Sequence, residues 1–259
     1  MHLSPADRDD LRHARRLLEK PSLAARIIKV MGVPFEQGLR CLPDAYVDRI
    51  QAVCEKALRA ALDFAVRTLD STGREQSSDQ FHQIAAAISG GIGGAIGLPA
   101  LAIELPVSTT IMMRSIADIA REEGEDISLI DTKLACLMVF ALSGKTERDS
   151  LETGYYGIRA ALSAAMSDAT SFIAERGLTD DGTPILMRLI TKIAARFGLV
   201  VSEKAAATAI PIVGAAGGMA INTLFINHFQ NMARGHFIIR RLERVYGREA
   251  VKAAYETTE

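Results

Sequence analysis

The chain has no tryptophan and few other aromatic residues, five tyrosines and nine phenylalanines among 259 residues. Packing therefore falls to Ala, Leu, Ile and Val, and the tryptophan anchors common at membrane interfaces are absent. Cysteine is scarce as well. Cys41, Cys54 and Cys136 form no CxxC pair and cannot all pair with one another. This argues against a disulfide framework or a cysteine metal box and points to a reduced, cytoplasmic compartment. Neither sign of charge dominates: 30 Lys and Arg against 31 Asp and Glu give a formal net charge of -1 at pH 7. That balance argues against a broad nucleic-acid-binding surface. The N-terminal stretch MHLSPADRDDLRHARRLLEK lacks the apolar core of a signal peptide.

Familiar catalytic patterns are also missing. GGIGGAIG looks like a dinucleotide loop, but from Gly91 the third glycine falls on Ile96, and the preceding residues read as helix rather than strand. Gly144-Lys145-Thr146 looks like the end of a phosphate loop, yet its first glycine falls on Val139. His2, His13, His82, His228 and His236 are scattered, with no HExxH motif, and no GxSxG elbow occurs. The sequence thus offers no cofactor loop, no metal motif and no coherent nucleophile. A hydrolase would need a composite site built from distant side chains.

What the chain does have is a pair of long charge-poor segments, each followed by a charged helix. The first, IAAAISGGIGGAIGLPALAIELPVSTTIMM from Ile84, contains Glu104 as its one ionisable residue. The second, AAATAIPIVGAAGGMAINTLFINHFQNMA from Ala205, contains His228 alone. Both are long enough to cross a bilayer, but Gly and Ala contribute little transfer energy, and Glu104, Asn222, Asn227 and the prolines oppose insertion. Gly90/Gly94, Gly93/Gly97 and Gly214/Gly218 have the GxxxG spacing of close helix contact. The segments can cross a bilayer, touch one, or form the close-packed core of a helical protein.

Apolar spacing predicts helices throughout. Pro5 and Asp7 start one that carries Leu11, Ala14, Leu17 and Leu18, and Leu23 to Met31 continues the stripe after Pro21. Val47, Ile50, Cys54, Leu58 and Leu62 repeat at three or four residues, as one buried face requires. STGREQSSDQ from Ser71 is a polar loop. Further helices are expected over 108–121, ending near Gly124, over 126–141 and 150–173, then over 185–197 and most of 202–246. The fold class is all-α: one compact domain of about eight to ten helices. Residues 1–29 read as an N-terminal helical extension, 30–250 as the main domain, and 251–259 as a C-terminal tail.

An imperfect repeat aligns Gly91 with Gly214, Gly94 with Gly217, Glu104 with Asn227, Arg121 with Arg244, and Gly124 with Gly247. It implies two related helical hairpins. Polar residues stand out against these segments. Glu104 lies in the longest apolar surroundings, where an uncompensated charge is costly. Arg114 and Asp118 form an i,i+4 pair on the helix that follows. Asn222, Asn227, Asn231 and Arg234 are their counterpart in the second segment. Farther on, Arg241, Arg244 and Arg248 line one side of a helix whose other side carries Ile238, Leu242 and Val245, a pattern suited to packing on the domain while facing anionic lipid or an acidic partner.

The ordered combination of these features resembles the EcsC protein family. GGIGGAIGLPALAIELPVSTTIMMRSIADIAREEGED from Gly90 and KIAARFGLVVSEKAAATAIPIVGAAGGMAINTLFINHFQNMARGHFIIRRLERVYG from Lys192 carry the resemblance, which covers roughly residues 30–250. The matching positions are Gly91, Gly94, Pro99, Glu104, Pro106, Arg114, Asp118, Gly124, Pro211, Gly214, Gly218, Asn222 and Asn227. The resemblance implies a largely helical domain and supplies no catalytic set. The favoured expectation is a non-enzymatic cytoplasmic adaptor, peripheral at the inner face of the membrane, that associates reversibly with membrane lipid or a hydrophobic small molecule. Glu104, Arg114, Asn222 and Asn227 would be its polar anchors. A membrane-protein partner fits the same expectation; a nucleic acid, a metal or a cofactor does not. The alternatives are a membrane-embedded helical accessory protein and the composite-site hydrolase.

Overall fold

A computed structural model describes residues 3–19, 23–31, 46–69, 98–142, 154–177, 184–208 and 214–257. Gly91, Gly94, Pro211 and the Gly-rich stretch before Leu98 lie outside them. The described residues form helices and short connections, with no strand among them: α1 Pro5–Leu18, α2 Leu23–Met31, α3 Tyr46–Thr68, α4 Leu98–Glu122, α5 Ile130–Leu142, α6 Tyr155–Arg176, α7 Pro184–Thr208, α8 Gly214–Tyr246 and α9 Arg248–Thr257.

The ends of these helices follow from local chemistry. Ser4 caps α1 by accepting the Asp7 amide at 3.1 Å, with Pro5 in the first turn, where its missing N–H costs nothing. α4 stops at Gly124, whose φ of 77° suits a residue without Cβ. The Gly124 amide donates to the Arg121 carbonyl and the Glu125 amide to the Ala120 carbonyl, both at 3.0 Å, the paired bonds of a Schellman cap. α8 also ends at a glycine with positive φ, Gly247 at 83°, through the simpler cap in which the Gly247 amide donates to the Glu243 carbonyl at 3.0 Å. The two chain positions aligned by the repeat thus share a conformation.

Pro106 does not end α4, which runs on to Glu122. Just beyond the Ala102 carbonyl that Pro106 deprives of its amide donor, Ser108 Oγ donates to the Leu105 carbonyl at 3.2 Å and Thr110 Oγ1 to the Pro106 carbonyl at 2.9 Å. Pro99 lies in the first turn of α4, where proline is tolerated. The expected break after Phe197 does not occur: α7 is continuous to Thr208. Gly198 faces Ile50 and Gln51 of α3, where a Cβ would lie 3.8 Å from each side chain, an ordinary contact.

α5 is the central element. Every residue from Thr132 to Leu142 is buried, and the helix is surrounded by α3, α4, α6, α7 and α8. The few aromatics concentrate here rather than leaving the packing to small aliphatics alone. Phe140 of α5, Phe197 of α7 and Phe229 of α8 stack edge-on or tilted at centroid separations of 5.1 to 5.5 Å, and Phe225 joins them through Phe229 at 5.1 Å.

The ends of the chain belong to this core. α1, read from the sequence as part of an extension, buries Leu11, Ala14, Leu17 and Leu18 and packs along α8. The crossing point is Gly235, where a Cβ would come within 2.7 Å of Leu18 Cγ and 3.0 Å of the Ala14 carbonyl oxygen. Residues 251–257 of the expected tail continue α9, with Val251 and Tyr255 buried. Apolar spacing at both ends carried the information, but it does not say which surface a terminal helix covers.

Candidate functional site

Glu104 lies two turns into α4, Lys204 just before the last turn of α7, and Asn222 in α8. Lys204 Nζ donates to Glu104 Oε1 at 2.6 Å and to Asn222 Oδ1 at 3.0 Å. It also stands 4.6 Å from the centroid of the Phe225 ring, within cation–π range. Lys204 is 4 % exposed and the Glu104 side chain 25 %. A buried ammonium needs opposite charge and acceptors around it, and this site supplies a carboxylate, an amide oxygen and an aromatic face. Glu104 and Asn222 come from the two charge-poor segments, and Lys204, the residue just before the second segment, joins them. The sequence reading did not include Lys204. Its one visible signal is that place at the segment's edge.

The next residue back on α7 performs a separate task. Glu203 Oε2 accepts the Ala24 amide at 3.0 Å, so a carboxylate of α7 caps the N-terminus of α2. Burial pushes the Glu203 carboxyl up to about 6, against the opposing effect of the Ala24 bond. The starts of α2 and α4, the end of α7 and the first third of α8 therefore gather at one end of the molecule.

The remaining candidates are spread along the seam between α4 and α8. Gln230 Nε2 donates to Ser115 Oγ at 2.9 Å, and Arg240 Nε to Glu125 Oε1 at 2.9 Å. With Glu104 beside Asn222, these links climb both helices in the same order, so α4 and α8 run parallel. Arg114 and Asp118 are half-buried on α4, but Asp118 accepts from Arg121 at 2.7 Å rather than from Arg114. Asn231 is half-buried; Asn227 and Arg234 are exposed and do not join the Glu104 cluster. Gly214 and Gly218 lie in the first turns of α8.

Arg241 and Arg244 find acidic partners within the chain. Arg241 donates to Glu123 at 2.8 Å and to Asp10 at 2.7 Å, while Arg244 pairs with Glu125 and donates to the Glu123 carbonyl at 2.6 Å. Burial opposes the ionised form of Glu125, yet bonds and charge from Arg240 and Arg244 outweigh it and hold that carboxyl below its ordinary value. These arginines fasten the α4 turn and α1 to α8, so their charge already has acidic partners within the chain.

A second polar cluster is wholly internal. Tyr155 Oη lies 2.8 Å from His236 Nδ1. Arg159 makes a two-pronged pair with Glu243 at 2.7 and 2.8 Å and donates to Tyr155 Oη at 3.2 Å. Its guanidinium also lies over the Tyr155 and Tyr156 rings. Burial, aided by the positive charges of Arg159 and Arg240, holds His236 well below its ordinary value, and burial pushes the Tyr155 phenol up. Both groups are neutral near pH 7 and shielded from solvent, so the cluster pins α6 to α8 and offers a substrate no access.

This cluster has a pH signature. The unfolded imidazole takes up a proton as pH falls through about 6.5 and the folded one does not. The stability contributed by His236 is therefore present above that value and is lost below it. Glu203 acts in the opposite sense, adding stability as pH falls from about 6 toward 4.5. We expect His236→Gln to show a shallower fall of the thermal midpoint than the parent between about pH 7 and 5. Equal slopes would remove His236 from the acid response.

Among the described residues no helix is long and apolar enough to cross a membrane, and no group of three or more His, Cys, Asp or Glu side chains is placed to hold a metal ion. No curated protein and no solved structure matches the chain. The model of the EcsC protein family matches residues 7–242, a span that takes in α1 as well as the Glu104–Lys204–Asn222 cluster. With nearly the whole helical domain inside that match, the chain belongs to the EcsC protein family.

Proposed function

We propose that the protein is a non-enzymatic cytoplasmic adaptor that associates reversibly with membrane or with hydrophobic ligands. The observation that carries this reading is the meeting of the two charge-poor segments at one end of the helical domain. There Glu104 is already neutralised by Lys204, which also donates to Asn222, and the neighbouring Ile103 side chain is largely exposed. Exposed apolar surface beside internally compensated charge suits contact with an interface more than insertion through it. Arg114 and Asn227 provide further polar groups along the helices that lead away from this end, and a membrane-protein partner would meet the same surface.

Fractionation tests the proposal. Expressed protein is expected to divide between the soluble and membrane fractions, and high salt or carbonate to release the membrane-bound part. Protein that leaves the membrane only in detergent would overturn the reading in favour of embedded helices. Native mass spectrometry after gentle purification is expected to show co-purifying lipid.

A further inference from the structure

We infer that α2 is the element that meets the membrane, and that the surface it meets is anionic. The inference rests on the reversible association proposed above and names its contact and its lipid class.

The nine residues of α2, LAARIIKVM, include Arg26 and Lys29 and no acidic residue. At about 100° per residue, Leu23, Ala24, Ile27, Ile28 and Val30 share an arc of about 160°, with Lys29 and Arg26 grouped on the other side. The domain covers only the middle of that arc. Leu23, Ala24 and Ile27 are buried against α7 and α8, whereas Ile28 on one flank is 41 % exposed and Val30 on the other 61 %. Few large apolar side chains are exposed on the described surface. Of the six, these two lie on α2, and Leu199 lies one turn before Glu203 on the α7 face that receives α2. A helix that served only to close the core would not need an apolar arc wider than the core covers.

The charges indicate which surface it fits. Lys29 is exposed, and Arg26 Nη1 is buried with no hydrogen-bond partner among the described residues. Lys29 is thus the cation that a headgroup phosphate would meet directly, with the half-buried Arg26 adding positive charge on the same side of α2. The outward side of α2 therefore carries its cations at the centre and an exposed apolar side chain on each edge, so that charge meets the headgroups and Ile28 and Val30 add apolar contact beside it. The short length of α2 limits the buried area and keeps the attachment reversible. The Glu203 cap fixes its N-terminus to the domain and keeps this face turned outward.

Flotation of the full chain with vesicles tests the assignment, using phosphatidylcholine alone and phosphatidylcholine mixed with phosphatidylglycerol. The parent is expected to float with the mixed vesicles and much less with the neutral ones. Lys29→Glu should weaken binding to the mixed vesicles about tenfold or more. Ile28→Ser with Val30→Ser should weaken it comparably. All three positions are exposed, so thermal midpoints should match the parent and show that the fold is intact. A parent that floats equally with both vesicle types, or variants that float as well as the parent, would overturn the assignment of α2 and leave the adaptor reading in place. A parent that floats with neither, and binds no soluble lipid, would overturn both.

Discussion

Glu243→Ala is expected to lower folding stability by about 3–5 kcal/mol, the range for removing one partner of a buried ion pair. Arg159 and Glu243 are each only 11 % exposed, and both prongs of the guanidinium are used, at 2.7 and 2.8 Å. Without the carboxylate, Arg159 keeps its full charge in a site walled by Tyr155 and Tyr156, and the Tyr155 hydroxyl is too weak an acceptor to replace it. The cost therefore comes mainly from the stranded cation rather than from the bond itself. Arg159→Met combined with Glu243→Leu tests that account. Removing both charges and keeping the volume should recover much of the loss, because a buried pair is often no more stable than well-packed apolar residues. Urea unfolding of the parent, Arg159→Met, Glu243→Leu and the double variant gives the coupling directly. A Glu243→Ala midpoint indistinguishable from the parent would show that the pair is solvated in solution.

Such pairs mark where the sequence stops being informative. The stripes of α1 and α3 were legible because three- and four-residue spacing is local: Leu11, Ala14, Leu17 and Leu18, then Ile50, Cys54, Leu58 and Leu62, are all buried. Gly124 was legible because a glycine after a periodic run suits the left-handed cap that it adopts. The continuity of α7 was not. The intrinsic preferences of the Gly-Leu-Val-Val run are weak and were overridden by packing, with Gly198 facing α3. Nor could spacing connect Arg159 with Glu243, or Lys204 with Glu104, since no local period spans such separations. His236 was read only as one of five scattered histidines; its burial and its partner Tyr155 come from the packing of α6 on α8, which no local pattern shows. Glu104 was singled out because a carboxylate inside an apolar run demands compensation. That argument fixed the need for a partner and left its identity open.

The identity of that partner makes the effect of breaking the site asymmetric. Glu104→Ala is expected to destabilise the fold by about 2–3 kcal/mol, because it leaves Lys204, nearly fully buried, without its counter-charge. Asn222 and the Phe225 ring remain, which keeps the cost below that of losing Glu243. Glu104→Gln should be milder, since an amide oxygen can still accept from Nζ. Lys204→Met should also be milder than Glu104→Ala: the Glu104 side chain is 25 % exposed and water can solvate it once the ammonium is gone. Glu104→Ala combined with Lys204→Met should then be more stable than Glu104→Ala alone, a reversal that independent contributions cannot produce. Thermal or urea unfolding of the four variants checks the order, and a double variant less stable than Glu104→Ala would refute the stranded-charge account. The same proteins divide structure from function at this end of the domain. If the cluster serves only to join α4, α7 and α8, the double variant should float with anionic vesicles as the parent does. If Glu104 and Asn222 hold a lipid headgroup through Lys204, the double variant should stay folded and lose that binding.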